Sequence, residues 1–147
     1  HALALDNRGK LYSGSADHTI RVWSVPEYTH IRILAGHTDK VRALAVARNG
    51  TLFSGSWDKT IKVWSGTDGT LLHTLREPTG LVYVYALAIA QDGGLLSGGN
   101  NGMRVWHPQQ GGECQVVEKS GTNVRAVAVG TGGRVYSISG KKVFFWI

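Results

Sequence analysis

His37, Ser54 and Asp58 are the residue types of a hydrolase triad, and Trp64 follows six positions after the acid. In a triad the serine is the nucleophile and stands on an exposed turn, the histidine takes its proton, and the acid orients the histidine. Ser54 instead lies inside TLFSGS at 51–56, a short apolar run with the composition of a strand. The indole N–H of Trp64 offers the same residues a structural use, because polar groups caught between packed sheets must satisfy one another. No catalytic residue is therefore assigned. The six histidines contain no pair at metal-ligand spacing and neither CxxC nor HExxH occurs, so no metal or cofactor is expected. GTGGR at 130–134 lacks the lysine and the following helix of a phosphate loop, and reads as a hairpin turn.

The element that must position these residues is repeated. TLFSGSWDKTIKVW at 51–64 returns as KLYSGSADHTIRVW at 10–23, as GLLSGGNNGMRVW at 94–106 and weakly as RVYSISGKKVFFW at 134–146. The closing tryptophans, Trp23, Trp64, Trp106 and Trp146, are spaced by 41, 42 and 40 residues, a period of repeat architectures. Within each period lie short runs rich in Val, Ile, Leu, Tyr and Trp, punctuated by Asn-Gly, Asp-Gly, Gly-Gly and Ser-Gly, which is strand and hairpin chemistry. In the second period the runs are 41–47, 51–56, 60–65 and 71–76, so each period predicts a four-stranded antiparallel sheet. Strict alternation puts Val41, Ala43 and Ala45 on one face and Arg42, Leu44 and Val46 on the other, both apolar apart from the arginine. Sheets apolar on both faces must stack, and four-stranded sheets stacked around an axis are a β-propeller. The fold class is all-β, propeller blades in an incomplete ring.

The order Gly36-His37, Asp39, Val41, Ser54-Gly55-Ser56, Asp58 and Trp64 resembles the WD-repeat propellers, over essentially the whole chain. The four closing tryptophans are followed by Ser24, Ser65, His107 and Ile147, so none of them carries the Trp-Asp dipeptide that names that family. The expected blades are 1–35, 36–78, 79–118 and 119–147, the last without its fourth strand. HALAL at 1–5 aligns with 42–46, so the chain opens inside an innermost strand. Open ends would expose strand edges and apolar faces. The missing blades are expected from the same longer chain or from self-association.

The resemblance implies a buried hydrogen-bond network of His37, Ser54, Asp58 and Trp64 in blade two. In blade one Ser13, Asp17 and Trp23 remain without a histidine. Ser97, Asn101 and Trp106 stand in blade three, and only Ser137 and Trp146 in blade four. It also implies that the residue before the turn aspartate, here Trp57, lies on one rim beside the residues opening each innermost strand. Those openers are His1, Arg42, Tyr85 and Arg125, with Lys40, Tyr83 and Asn123 two places earlier. The expected partner site is thus Trp57, Lys40, Arg42, Tyr83, Tyr85, Arg125 and His1. Its aromatic faces would hold an apolar or cationic side chain, and Arg42 a carboxylate or phosphate.

The remaining composition is that of an ordinary folded chain: 147 residues, 42% hydrophobic and 18% charged. The longest apolar run, at 81–90, is half the length of a membrane helix, and no membrane partner is expected. The lone Cys114 excludes an intramolecular disulfide and favours a reducing, intracellular setting, cytoplasmic or nuclear. The net charge is +6, and Lys119, Arg125, Arg134, Lys141 and Lys142 lie in an acid-free stretch from 119 to 147. Such a surface attracts acidic or phosphorylated peptides, and equally nucleic-acid backbones. The function read from the sequence is a non-catalytic protein-interaction scaffold or adaptor. Two alternatives stand beside it: a substrate-recognition propeller of a ubiquitin ligase, and RNA or DNA binding through the basic last blade.

Overall fold

The computed structural model describes residues 1–80, 82–110, 112–118 and 123–146; Lys119, in the basic stretch, and Ile147, after the last tryptophan, lie outside them. Four antiparallel sheets follow one another along the chain. The first holds β1 (Ala2–Leu5), β2 (Lys10–Gly14), β3 (Ile20–Ser24) and β4 (Thr29–Leu34). The second holds β5 (Val41–Val46), β6 (Leu52–Ser56), β7 (Thr60–Trp64) and β8 (Leu71–Arg76). The third holds β9 (Val84–Ile89), β10 (Leu95–Gly99), β11 (Gly102–His107) and β12 (Glu113–Glu118). The fourth, among the described residues, holds β13 (Val124–Val129), β14 (Val135–Ser139) and β15 (Lys142–Trp146). Strands pair in chain order because each is joined to the next by a tight turn.

The innermost strands pack β1 on β5, β5 on β9 and β9 on β13, so the blades succeed one another around an axis. Apolar residues fill the spaces between. Tyr12, Ile20, Val22 and Leu34 of blade one meet Val41, Leu44, Leu52 and Trp64 of blade two. On the other side of blade two, Phe53, Ile61, Val63 and Leu75 meet Val84, Leu95 and Trp106 of blade three. Blade two is therefore buried on both faces, each fully buried aliphatic or Phe side chain being worth about 1.5–3 kcal/mol.

Strict alternation along β5 fails at one residue. Val41 pairs with Ser56 and Ala43 with Gly55, so Arg42 is an extra residue, a β-bulge, and Val41 joins Leu44 on the face toward blade one. The same bulge falls at Tyr85 in β9 and at Arg125 in β13. A residue lifted out of the ladder is no longer held to either face, which frees its side chain for the sheet end.

The glycine of the recurring Ser-Gly motif has a packing reason. A Cβ on Gly14 would stand 2.8 Å from Val41 Cγ1, on Gly55 2.3 Å from Val84 Cγ1, and on Gly98 2.6 Å from Val124 Cγ1. Each blade thus leaves a hole for the valine of the next. In β14 the corresponding residue is Ile138, which is exposed, so the outward face of the last sheet has no such hole. Large apolar residues are uncovered at both ends of the arc: Leu3 is 70% and Leu5 61% exposed in blade one, Val143 65% and Phe145 73% in blade four. The exposed sheet faces expected from the sequence are present, and the described blades form an open arc.

Candidate interaction site

Blade two carries the predicted network. Trp64 Nε1 donates to Ser54 Oγ at 2.8 Å, His37 Nε2 lies 2.7 Å from the same oxygen, and His37 Nδ1 lies 2.7 Å from Asp58 Oδ2. The carboxylate only accepts, which assigns the Nδ1 hydrogen to His37 and leaves Nε2 to accept from the serine hydroxyl. This is the connectivity of a triad without its access, because Ser54 is 0% exposed. Asp58 also accepts from Thr38 N at 3.1 Å, and from Thr60 N and Oγ1 at 2.9 and 2.6 Å. Burial pushes its carboxyl pKa up, but the hydrogen bonds from His37, Thr60 and Thr38 outweigh it and hold the group well below the usual carboxylate range. Thr60 was not singled out from the sequence, although the Asp-x-Thr spacing of Asp58 and Thr60 is repeated in Asp17 and Thr19.

The other blades keep the tryptophan–serine bond: Trp23 to Ser13 at 3.0 Å, Trp106 to Ser97 at 2.8 Å and Trp146 to Ser137 at 3.3 Å. Asp17 is exposed and accepts from Thr19 and, at 2.8 Å, from Arg21. Blade three substitutes a buried ion pair unforeseen in the sequence, Arg104 Nη2 to Glu77 Oε1 at 3.4 Å, with Thr79 N donating to Glu77 at 2.9 Å. The signal was a register position: Arg104 faces Ser97 as Lys62 faces Ser54.

Trp57 belongs to no such network. It lies in the β6–β7 turn, half-buried, and its Nε1 is buried without a hydrogen-bond partner among the described residues. Its backbone N–H donates to Lys40 C=O at 3.1 Å, which ties the turn to the entrance of β5. Lys40 Nζ and Arg42 Cζ each lie 5.1 Å from the ring centroid, and the rings of Tyr83 and Tyr85 lie 6.2 and 6.4 Å away. Lys59, not named from the sequence, brings its Nζ to 5.5 Å from the Tyr83 ring. Arg42 Nη1 is 3.3 Å from His1 Nδ1. Tyr83 is fixed through its backbone N–H, which donates to Asn100 Oδ1 at 2.7 Å; Asn100 occupies in blade three the turn position of Trp57.

The structure thus brings Lys40, Arg42, Tyr83 and Tyr85 onto Trp57, and His1 onto Arg42. The Trp57 ring, expected to receive an apolar or cationic side chain, already has two of the chain's own cations over it. Arg125, at the bulge of blade four, and Lys141 and Lys142, at the β14–β15 turn, are exposed on the same rim one blade on. Arg134 lies at the other end of β14, so the basic last blade is not one surface. Cys114 is half-buried against the core of blades two and three; burial pushes its thiol pKa up, with Glu77 adding to this and Arg104 opposing it. No group of three His, Cys, Asp or Glu among the described residues is placed to hold a metal, and no helix among them is long and apolar enough to cross a membrane.

Four-stranded blades stacked around an axis, each closed by a tryptophan–serine bond, define an incomplete β-propeller built from sequence repeats. Residues 1–24, 28–65 and 69–107, more than half of the chain, match the WD domain, G-beta repeat family, and the chain belongs to that WD40 family. The second and third matched units each begin at the outermost strand of the preceding blade, β4 or β8, so every such unit ties two sheets together. No curated protein matches the chain as a relative.

Proposed function

We propose that this protein is a non-catalytic, intracellular interaction scaffold that binds an acidic or phosphorylated segment of a protein partner on the rim around Trp57. WD40 repeats are generally protein-interaction modules, which supports the class. The observation that carries the finer reading is the pair of cations held 5.1 Å from the Trp57 ring, with Lys59 beside Tyr83. Rings placed under Lys40 and Arg42 hold those charges in position for an anion and leave little attraction for a cationic guest. The inaccessible Ser54 hydroxyl supports a structural rather than catalytic use of His37 and Asp58. Arg125, Lys141 and Lys142 extend the basic rim, and a nucleic-acid backbone is the competing ligand.

The test is an array of acidic and phosphorylated peptides, with random single-stranded RNA as the second probe. Trp57→Ala should weaken peptide binding by about 2 kcal/mol or more with little loss of stability. Both complexes should weaken with salt, RNA binding with the steeper slope because it engages a longer run of phosphates. Unfolding of Trp57→Ala would make the ring part of the core. Unchanged peptide binding and stability would move the contact surface elsewhere, to Arg125 and Lys141.

A further inference from the structure

We propose that a second binding site lies on the opposite rim, in a cleft between blades two and three that reaches the end of β13 in blade four. It would take a short peptide through one large apolar side chain flanked by an acidic residue. The cleft encloses about 730 Å³, within the range of ligand pockets. It lies at the end of β5 and the start of β6, at the other end of the strands from Trp57.

The interface of blades one and two can be compared position by position with that of blades two and three, since residues 8–34 and 49–75 align without a gap. Between blades one and two this space is sealed. Lys10 Nζ donates to Gly66 C=O at 2.6 Å, and Arg32 donates to Asp68 C=O. Tyr12 is buried, and Arg8 reaches to within 3.7 Å of where a Gly50 Cβ would stand. Between blades two and three every one of these residues is replaced by a shorter or less polar one: Lys10 by Thr51, Tyr12 by Phe53, Arg32 by His73, Arg8 by Asn49. The covering loop also differs, four residues between Trp64 and Gly69 but five between Trp106 and Gly112, where Pro108–Gln110 form a 3-10 turn. Asn49, Thr51, Phe53 and His73 line the cleft instead of closing it.

Its walls and mouth state the guest. Phe53, Val63 and Ile89 form apolar walls wide enough for a Leu, Met or Phe side chain, while Arg48 and His73 stand exposed at the mouth and no acid is among the lining residues. An apolar anchor with a neighbouring carboxylate matches both features.

Panning a random heptapeptide phage library on the intact protein tests this. The expected clones carry one large apolar residue beside Asp or Glu, and lose at least tenfold in binding to the double variant Phe53→Tyr/His73→Arg, which restores two sealing residues. They should lose a similar factor with Arg48→Glu, a substitution at an exposed residue that leaves the cavity intact, and bind Trp57→Ala unchanged. If the double variant does not fold, Arg48→Glu decides. No enrichment, or clones indifferent to Arg48→Glu, would overturn the proposal. Clones lost only with Trp57→Ala would place the peptide on the other rim, refuting the cleft while leaving the first site standing.

Discussion

Replacing Asp58 by asparagine probes the network with almost no change in shape. One carboxylate oxygen accepts from His37 Nδ1 and Thr38 N, the other from the N–H and O–H of Thr60. An amide keeps one acceptor and turns the other into a donor. Whichever way it faces, its NH₂ meets a backbone N–H, Thr38 or Thr60, that cannot rotate away. One buried donor left unsatisfied costs about 1–3 kcal/mol, and the bonds that survive lose their charge assistance. We expect Asp58→Asn to lower stability by about 1–3 kcal/mol, and Asp17→Asn to cost clearly less, because Asp17 is exposed and water replaces its lost partners. Guanidinium unfolding followed by tryptophan fluorescence reads both. The pH dependence has a fixed sign. The folded pKa of Asp58 is depressed, so its contribution is fully present above the unfolded carboxylate value of about 3.9 and is lost as pH falls through the folded value. The lead of the wild type over Asp58→Asn should therefore be constant above pH about 5 and shrink below about 4. Equal losses for the two variants, or a lead that does not shrink in acid, would refute the network as described.

Gly55→Ala would put a methyl 2.3 Å from Val84 Cγ1 and should destabilise by about 1–3 kcal/mol; Val84→Ala should cost less in that background than alone, in a double-mutant cycle by chemical denaturation. His18→Gly removes a side chain from a left-handed turn position (φ 73°), the place that Lys59 (φ 69°) holds in blade two, and should raise stability by about 0.5–1 kcal/mol in the same assay. A destabilisation would show that the exposed imidazole has a partner. Cys114, its thiol pKa raised by burial, should react with iodoacetamide at pH 8 at least tenfold more slowly than in urea, and equal rates would place it outside the core.

The amino-acid sequence by itself determined the blades. The tryptophan spacing, the Ser-Gly motif, the strand runs and the turn residues are set between neighbours along one sheet, and they reappear with strand ends shifted by a residue or two. A rim shared by Trp57 and the residues that open the innermost strands was implied by the resemblance to the WD-repeat propellers, and the structure sets Lys40, Arg42, Tyr83 and Tyr85 around that ring. What the chain does between blades was decided only in three dimensions. The bulge at Arg42 breaks a two-residue period no more visibly than any polar residue would, yet it turns Val41 to the other face and sends Arg42 to Trp57. The Glu77–Arg104 pair joins residues 27 positions apart, one just beyond β8 and the other in β11. Whether a seam closes depends on Lys10 and Arg32 reaching carbonyls of the next blade, and whether a cation covers an aromatic ring depends on where the turn carries that ring. Such contacts depend on the spacing and rotation between stacked sheets, and no local pattern of residues encodes that geometry.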